Sequence, residues 1–124
     1  ELGGTDTAAN PVELLLVALG ACQEIMYSAY ASVMGVQLDS VKVSLRGYLD
    51  LRGLFGMEDG IPPGYQKILF ETDLASPADR DTLMKLVRTV ESHCPVMDTL
   101  MRAIEVSGSV SINGESMEMD ALAA

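Results

Sequence analysis

A long apolar helix with a clear start and a clear end constrains the fold of this chain more than any other feature. Asn10 is suited to cap the helix, Pro11 fits its first position, and Glu13 lies where a carboxylate reaches back to the cap amide. Gly35 suits the left-handed turn that ends a helix, so the pattern predicts a helix over about residues 11–34. Its first half is apolar on every side, which predicts a central helix that is buried all round.

Alternation of apolar and polar residues predicts strands later in the chain. Residues 40–51 and about 65–74 each place apolar side chains on one face. A final strand is expected over about 105–112, followed by Asn113-Gly114, a dipeptide typical of a hairpin turn. The Gly- and Pro-rich segment 53–64 between the first two strands carries apolar residues, which suggests a lid or a docking arm.

Two further helices are predicted in the second half of the chain. Ser76 caps the first in this interpretation, which covers about residues 77–92, and Pro95 begins a short second one. Strands and helices are interleaved without a strict βαβ rhythm, so the predicted class is α+β with a mostly antiparallel sheet. We expect residues 1–124 to form a single domain.

Composition limits the partners of this domain. The net charge of −10, without a cluster of Lys or Arg, argues against nucleic acid and anionic membrane surfaces. The longest apolar run, residues 14–22, is short for a bilayer span and lacks the basic flank of a secretory signal. We therefore expect a soluble cytoplasmic protein. Because 48% of the residues are hydrophobic but only 5% are aromatic, we expect a homodimer to cover apolar surface that one subunit leaves open.

The two cysteines are the candidates for chemistry. Cys22 and Cys94 are 72 positions apart, which excludes a CxxC pair and fits no zinc spacing. Two ordinary buried cysteines and a permanent disulfide are the structural interpretations. The functional one is an attacking thiolate with a resolving partner, which passes through a sulfenic acid and a disulfide before reduction by an external dithiol.

The residues around each cysteine do not by themselves show which sulfur attacks and which one resolves the intermediate. Cys94 precedes a predicted helix start, which favours a thiolate there, whereas Cys22 lies within a helix and needs a cation from elsewhere. The candidate cations are the arginines Arg46, Arg52, Arg80, Arg88 and Arg102.

Three other residue types have structural interpretations beside functional ones. His93 is a possible base beside Cys94, but a histidine at a helix end more commonly meets terminal carbonyls. Glu13 is a capping-box residue as well as a candidate catalytic group. The methionines at 26, 34, 84, 97 and 101 fill a core or line an adaptable apolar site. One histidine and two cysteines do not make a convincing metal site, and we predict no metal and no cofactor.

The segment from Asn10-Pro11-Val12-Glu13-Leu14 to Ala18-Leu19-Gly20-Ala21-Cys22, together with His93-Cys94-Pro95, resembles the OsmC/Ohr family. The resemblance covers nearly the whole chain from Gly3 onward, and strands that precede the helix in the family are missing from this sequence. It implies an OsmC-like fold in a swapped, intertwined homodimer with long central helices between sheets. It also implies reduction of organic hydroperoxides, with Cys22 as the peroxidatic thiol and Cys94 as the resolving thiol.

Two departures from the pattern indicate a divergent OsmC-like branch. Enzymes of this type hold the thiolate with an arginine from the N-terminal region, and this chain has none before Arg46. They also commonly carry glutamate where this chain has Val12, and Glu13 is rotated by about 100° from that position. The first functional hypothesis is a dimeric peroxidase for organic hydroperoxides. The alternatives are a non-peroxidatic protein that binds an apolar or thiol-bearing ligand at the dimer interface, and a scaffold with two inert thiols.

Overall fold

A computed structural model describes residues 4–118 of this chain. In chain order its elements are α1 (Pro11–Met34), β1 (Ser40–Leu49), α2 (Leu51–Leu54), β2 (Tyr65–Ala75), α3 (Arg80–His93), α4 (Pro95–Met101), β3 (Ser109–Ile112) and β4 (Glu115–Glu118). Both pairs of strands, β1 with β2 and β3 with β4, are antiparallel. The predicted α+β class with antiparallel pairing is therefore confirmed, although the described strands form two separate two-stranded sheets.

Both ends of α1 lie where the sequence predicts them. The backbone N–H of Glu13 donates to Asn10 Oδ1 at 2.9 Å, and the backbone N–H of Asn10 donates to Glu13 Oε2 at 3.0 Å. At the other end Gly35 adopts φ 67° and its N–H bonds back to the last turn. The capping-box interpretation of Glu13 is confirmed.

Removal of this cap gives a first testable prediction. We expect Asn10→Ala to lower the free energy of unfolding by about 1 kcal/mol, because it leaves amides of the first helical turn without an acceptor. Urea unfolding followed by circular dichroism measures the change. The control is Ser44→Ala, which also replaces a small polar side chain by alanine but lies on the exposed face of β1, away from the cap. Its free energy of unfolding should stay near that of the wild type. An equal loss in both variants would contradict the assigned cap.

The expectation that α1 is buried all round is wrong for a single chain. One side packs on the rest of the molecule and buries Leu19, Gly20, Gln23, Tyr27 and Ala31. The opposite side leaves Leu14 at 54%, Val17 at 58% and Ile25 at 68% exposure. The reason is that α3, α4 and the β1–β2 sheet cover only one side of the helix. By length and composition alone α1 would also be suited to cross a membrane, as central helices of other proteins are.

The β1–β2 ribbon has the two faces that the sequence predicts. Side chains alternate between half-buried and exposed along β1, and Ser40 pairs with Ala75 at one end of the ribbon. The first strand ends at Leu49, earlier than predicted, because Asp50 Oδ1 accepts the N–H of Arg52 and caps the short helix α2. Gly47 lies against the ring of Tyr65, where any larger residue would collide.

The helix α3 begins later than predicted. Asp79 and not Ser76 caps it, since the N–H of Thr82 donates to Asp79 Oδ2 at 3.0 Å. The hydroxyl of Ser76 instead donates to the carbonyl of Gln37 and so ties the end of β2 to the loop after α1. Ser76 Oγ also accepts the N–H of Ala78, which closes a local turn, and the helix itself begins only after Asp79.

The core forms where α3 crosses α1. Tyr27, Ala31, Leu86 and Val90 are buried together, and Leu74 of the ribbon packs against them. Deep burial of Val90 matters for the site because it fixes the end of α3, where Cys94 follows.

The β3–β4 hairpin is short and exposed. The predicted turn is confirmed, because Asn113 and Gly114 have φ of 51° and 87°, as a type I′ turn requires. The strand β3 begins at Ser109, not near 105 as predicted. Val110 and Ile112 are exposed, and no other described element packs on the hairpin.

Candidate active site

The sulfurs of the two cysteines are in contact. Cys94 Sγ lies 3.4 Å from Cys22 Sγ and donates a hydrogen bond to it. Both cysteines are free thiols in this structure. A disulfide needs a sulfur separation of about 2.0 Å, so only a small movement separates this contact from a covalent bond. The fold brings together two residues that are 72 positions apart.

The packing of helices on α1 explains this contact. Cys22 lies on the side of α1 that also carries Leu15 and Leu19, seven and three residues earlier, between the buried and the exposed faces. Cys94 follows α3 directly and precedes α4, and both of these helices pack on α1. Cys94 is therefore 1% exposed, whereas Cys22 is only half-buried.

The ionisation of Cys94 differs from the sequence expectation. Burial raises the pKa of the Cys94 thiol, and the backbone N–H groups of Met97 and Val96 offset only part of this effect. No hydrogen bond caps α4 through the cysteine side chain, and the helix has only 7 residues. The expectation that the helix start favours a thiolate at Cys94 is therefore wrong. Cys94 keeps its proton and acts as the donor, which leaves the more accessible Cys22 as the acceptor.

Glu13 lies at the other end of α1 from the thiols. It is nine positions before Cys22, which corresponds to about 13 Å along a helix axis. Its carboxylate caps the helix, and its charge together with burial raises the pKa of Tyr65. The structure thus does not bring Glu13 to the sulfurs within one chain, and its catalytic role stays a prediction.

The five candidate arginines fall into two groups. Arg52 forms salt bridges with Asp50 and Glu58, and Arg102 forms one with Asp98. The other three, Arg46, Arg80 and Arg88, are exposed and form no salt bridge within residues 4–118. Over the same part of the chain, no arginine donates a hydrogen bond to either sulfur. Among residues 4–118, therefore, no arginine forms the contact with a sulfur that the sequence interpretation requires.

His93 has the structural role that the sequence favours. Its Nδ1 lies 2.9 Å from the carbonyl of Thr89 in the last turn of α3, and its ring centroid lies 5.7 Å from that of Tyr30 with the two planes tilted by 57°. The described residues contain no group of three side chains suited to hold a metal ion.

A mainly apolar cleft is lined by residues of α1 and α4 that lie about one helical turn from each thiol. Its volume is about 510 Å³, and its walls include Leu15, Leu19, Phe70, Met97, Leu100 and Met101. Neither sulfur lines it, but Leu19 lies one helical turn before Cys22 and Met97 lies three residues after Cys94. We call this space the thiol-side cleft. It is large enough for a small apolar molecule.

Sequence reasoning missed three residues of this region. Tyr65 donates from its hydroxyl to the carbonyl of Val12 at 2.7 Å and so connects β2 to the first turn of α1. Phe70, an apolar residue of β2, lines the cleft. Gln23 is buried next to Cys22, and its Oε1 has no hydrogen-bond partner among the described residues. Of these three residues, only Gln23 could have been noticed in the sequence, because it is a polar residue directly after an apolar run.

Together, the fold and the site define a class of protein. An antiparallel ribbon packs with two shorter helices on a long helix, and two free thiols from distant segments meet on that helix. The family model for OsmC-like proteins matches residues 4–108. The chain belongs to the OsmC-like family, as the sequence resemblance indicated.

Solved structures share this fold. An OsmC-like hydroperoxide resistance protein from Jannaschia sp. CCS1 aligns with a TM-score of 0.72 and 16% identity over 94% of this chain and 75% of that one. An OsmC-like protein from Mycoplasma pneumoniae aligns with a TM-score of 0.65 and 21% identity over 78% and 67%. An organic hydroperoxide resistance protein OsmC from Legionella pneumophila aligns with a TM-score of 0.60 and 20% identity over 81% and 67%. A search of curated sequences found no match.

Proposed function

We propose that this protein is a thiol-dependent peroxidase that reduces organic hydroperoxides. The observation that carries the proposal is the 3.4 Å contact between an accessible sulfur, Cys22, and a buried one, Cys94. One accessible and one buried free thiol in contact fit an attacking and a resolving sulfur. Family membership and neighbours named for hydroperoxide resistance support the same activity.

The proposed reaction uses each sulfur once. The Cys22 thiolate attacks the distal oxygen of the hydroperoxide, the O–O bond breaks, and the alkoxide leaves as an alcohol after it takes up a proton. Cys22 is then a sulfenic acid. The Cys94 sulfur attacks it, a disulfide forms, and hydroxide leaves as water with the proton from Cys94. An external dithiol reduces the disulfide and restores both thiols.

The relative burial of the sulfurs supports this assignment of roles. An attacking sulfur must meet a substrate from solvent, and Cys22 is the more exposed of the two. A resolving sulfur needs only to reach its partner, and Cys94 already touches it. The thiol-side cleft supplies an apolar surface beside them, which favours an alkyl or lipid hydroperoxide over hydrogen peroxide.

We also propose that the protein acts as a homodimer. Leu14, Val17 and Ile25 follow one another along a single exposed face of α1, with the small residues Ala18 and Ala21 between them. Burial of these exposed apolar side chains is favourable, and the same face of a second copy of the chain would bury them. A swapped, intertwined pairing, as the family resemblance implies, would also let a partner group act as the cation near Cys22. A cytoplasmic location fits two free thiols and forms part of the proposal.

The test of the activity is a titration of free thiols. On addition of cumene hydroperoxide, we expect both thiols of each chain to be lost together, because the second follows from the first. Free thiols are counted with a chromogenic disulfide, and intact mass shows whether a disulfide has formed. Thiols that persist in the presence of excess hydroperoxide at neutral pH would contradict the proposal.

A ligand-binding role is the second candidate. It is favoured by a larger cleft of about 770 Å³ beneath the start of α1, whose lining is mainly apolar but includes Glu13 and Arg46. This protein would bind a small apolar or thiol-bearing molecule without turnover. A rise in melting temperature with an apolar ligand, together with unreactive thiols, would favour this role over the peroxidase.

A further inference from the structure

We propose that Met101, together with Met97, is a site at which organic hydroperoxides oxidise the protein itself, and that this oxidation weakens the binding of apolar hydroperoxides to the thiol-side cleft. The inference rests on the proposed peroxidase function, because that function brings the oxidant to the thiol-side cleft. It assigns a chemical role to two methionines that the thiol reaction does not use.

The position of the two thioethers carries the inference. Both methionines line the thiol-side cleft, one helical turn apart on the same side of α4. Met97 is half-buried, whereas Met101 is 77% exposed. A hydroperoxide that places its apolar part against Leu15 and Phe70 therefore lies beside two oxidisable sulfurs, in a cleft whose wall residue Leu19 is one helical turn from Cys22.

The chemistry is a two-electron oxygen transfer. The thioether sulfur attacks the distal oxygen of the hydroperoxide, an S–O bond forms and the O–O bond breaks. The sulfur first carries the transferred hydroxyl as S–OH⁺ and becomes the sulfoxide when it loses that proton, while the hydroperoxide is reduced to an alkoxide that takes up a proton and leaves as the alcohol. The organic hydroperoxide is the only oxidant required, and it is the substrate of the proposed function.

Oxidation changes the character of the cleft. A thioether is flexible and apolar, whereas a sulfoxide is polar and chiral. Two sulfoxides on the α4 wall would weaken the binding of apolar molecules to the cleft. The expected result is a rise in KM for apolar hydroperoxides after prolonged exposure, so the oxidised protein would be a form with reduced affinity.

Met57 provides an internal control for this mechanism. It is 72% exposed, close to the 77% of Met101, but it lies in the loop after α2 and does not line the thiol-side cleft. Exposure alone predicts equal oxidation of the two residues. Binding in the cleft predicts that Met101 is oxidised first.

The experiment compares two oxidants on the Cys22→Ser variant, in which the thiol reaction cannot consume the hydroperoxide. With cumene hydroperoxide we expect sulfoxide to form at Met101 at least about threefold faster than at Met57, since a cleft that binds weakly still concentrates the oxidant. With hydrogen peroxide, which has no apolar part, the two rates should be similar. Peptide mass mapping over time gives both rates. In the wild-type protein, once its thiols are oxidised, Met101 should likewise be oxidised faster than Met57 by cumene hydroperoxide.

Two outcomes are decisive. Equal rates at Met57 and Met101 with cumene hydroperoxide, or the same preference with hydrogen peroxide, would overturn the inference. A failure of the proposed peroxidase is seen separately, as thiols of the wild-type protein that do not react. The ratio of methionine oxidation rates in Cys22→Ser is independent of that result.

Discussion

Replacement of Cys22 by serine is expected to reduce hydroperoxide turnover by at least about a hundredfold, because a hydroxyl is a far weaker nucleophile than a thiolate at neutral pH. The position of Cys22 at the border of the buried face of α1 leaves room for the smaller atom, so the fold should persist. Alcohol formed from cumene hydroperoxide, with dithiothreitol as the reductant, measures turnover. Ser44→Ala, on the exposed face of β1, is the control that should keep full activity.

The companion variant Cys94→Ala separates the two sulfurs. Without the resolving thiol, Cys22 should still react once, so each chain should form one equivalent of alcohol and gain about 16 Da as the sulfenic acid. Circular dichroism shows whether the buried position tolerates alanine. A Cys22→Ser protein that turns over normally, or a Cys94→Ala protein that never reacts although it is folded, would contradict the assigned order of the thiols.

A charge on the exposed face of α1 should have the second large effect. We expect Val17→Glu to convert the proposed dimer to a monomer, because a carboxylate buried in an apolar interface without a partner is strongly unfavourable. Val17 is 58% exposed in the single chain, so the substitution should not disturb the monomer fold. Sedimentation velocity measures the association state, and circular dichroism measures the helical content.

Met57→Glu is the matched control for this prediction. Met57 is an apolar residue with similar exposure, 72%, but it lies in the loop after α2 and not on α1. It should leave the mass of the assembly unchanged. If Met57→Glu produces monomers and Val17→Glu does not, the loop and not the helix face forms the interface.

Local features of the fold could be predicted from the sequence because they depend on neighbouring residues. The cap of α1 requires only Asn10 and Glu13 in the right spacing, and the hairpin turn requires only Asn113 and Gly114. The two faces of β1 follow from strict alternation in the same way. The start of α3 could not be predicted, because Ser76 and Asp79 are both able to cap, and Ser76 Oγ accepts the N–H of Ala78 in a turn that precedes the helix.

In the candidate site, too, the sequence predicted the local features, whereas the tertiary contacts decided the others. The sequence marked Cys22 and Cys94 as the chemistry-bearing residues and His93 as a helix-end residue. It placed Glu13 in the capping box, which the structure confirms. The sequence did not indicate that Cys94 would keep its proton, since the expected benefit of a helix start depends on the burial of the sulfur. Nor did it indicate the cleft, whose walls come from α1, β2 and α4.

The sequence by itself determined the long helix and its caps, the main strands, the antiparallel pairing and the family, because these features are encoded in residues close together or in a short motif. Only the tertiary structure decided that two sulfurs 72 positions apart are 3.4 Å from each other, which of them is buried, and which side of α1 stays open. The physical reason is that ionisation and exposure depend on what packs around a side chain. Packing between α1, α3 and α4 is set by the whole fold and not by any one segment.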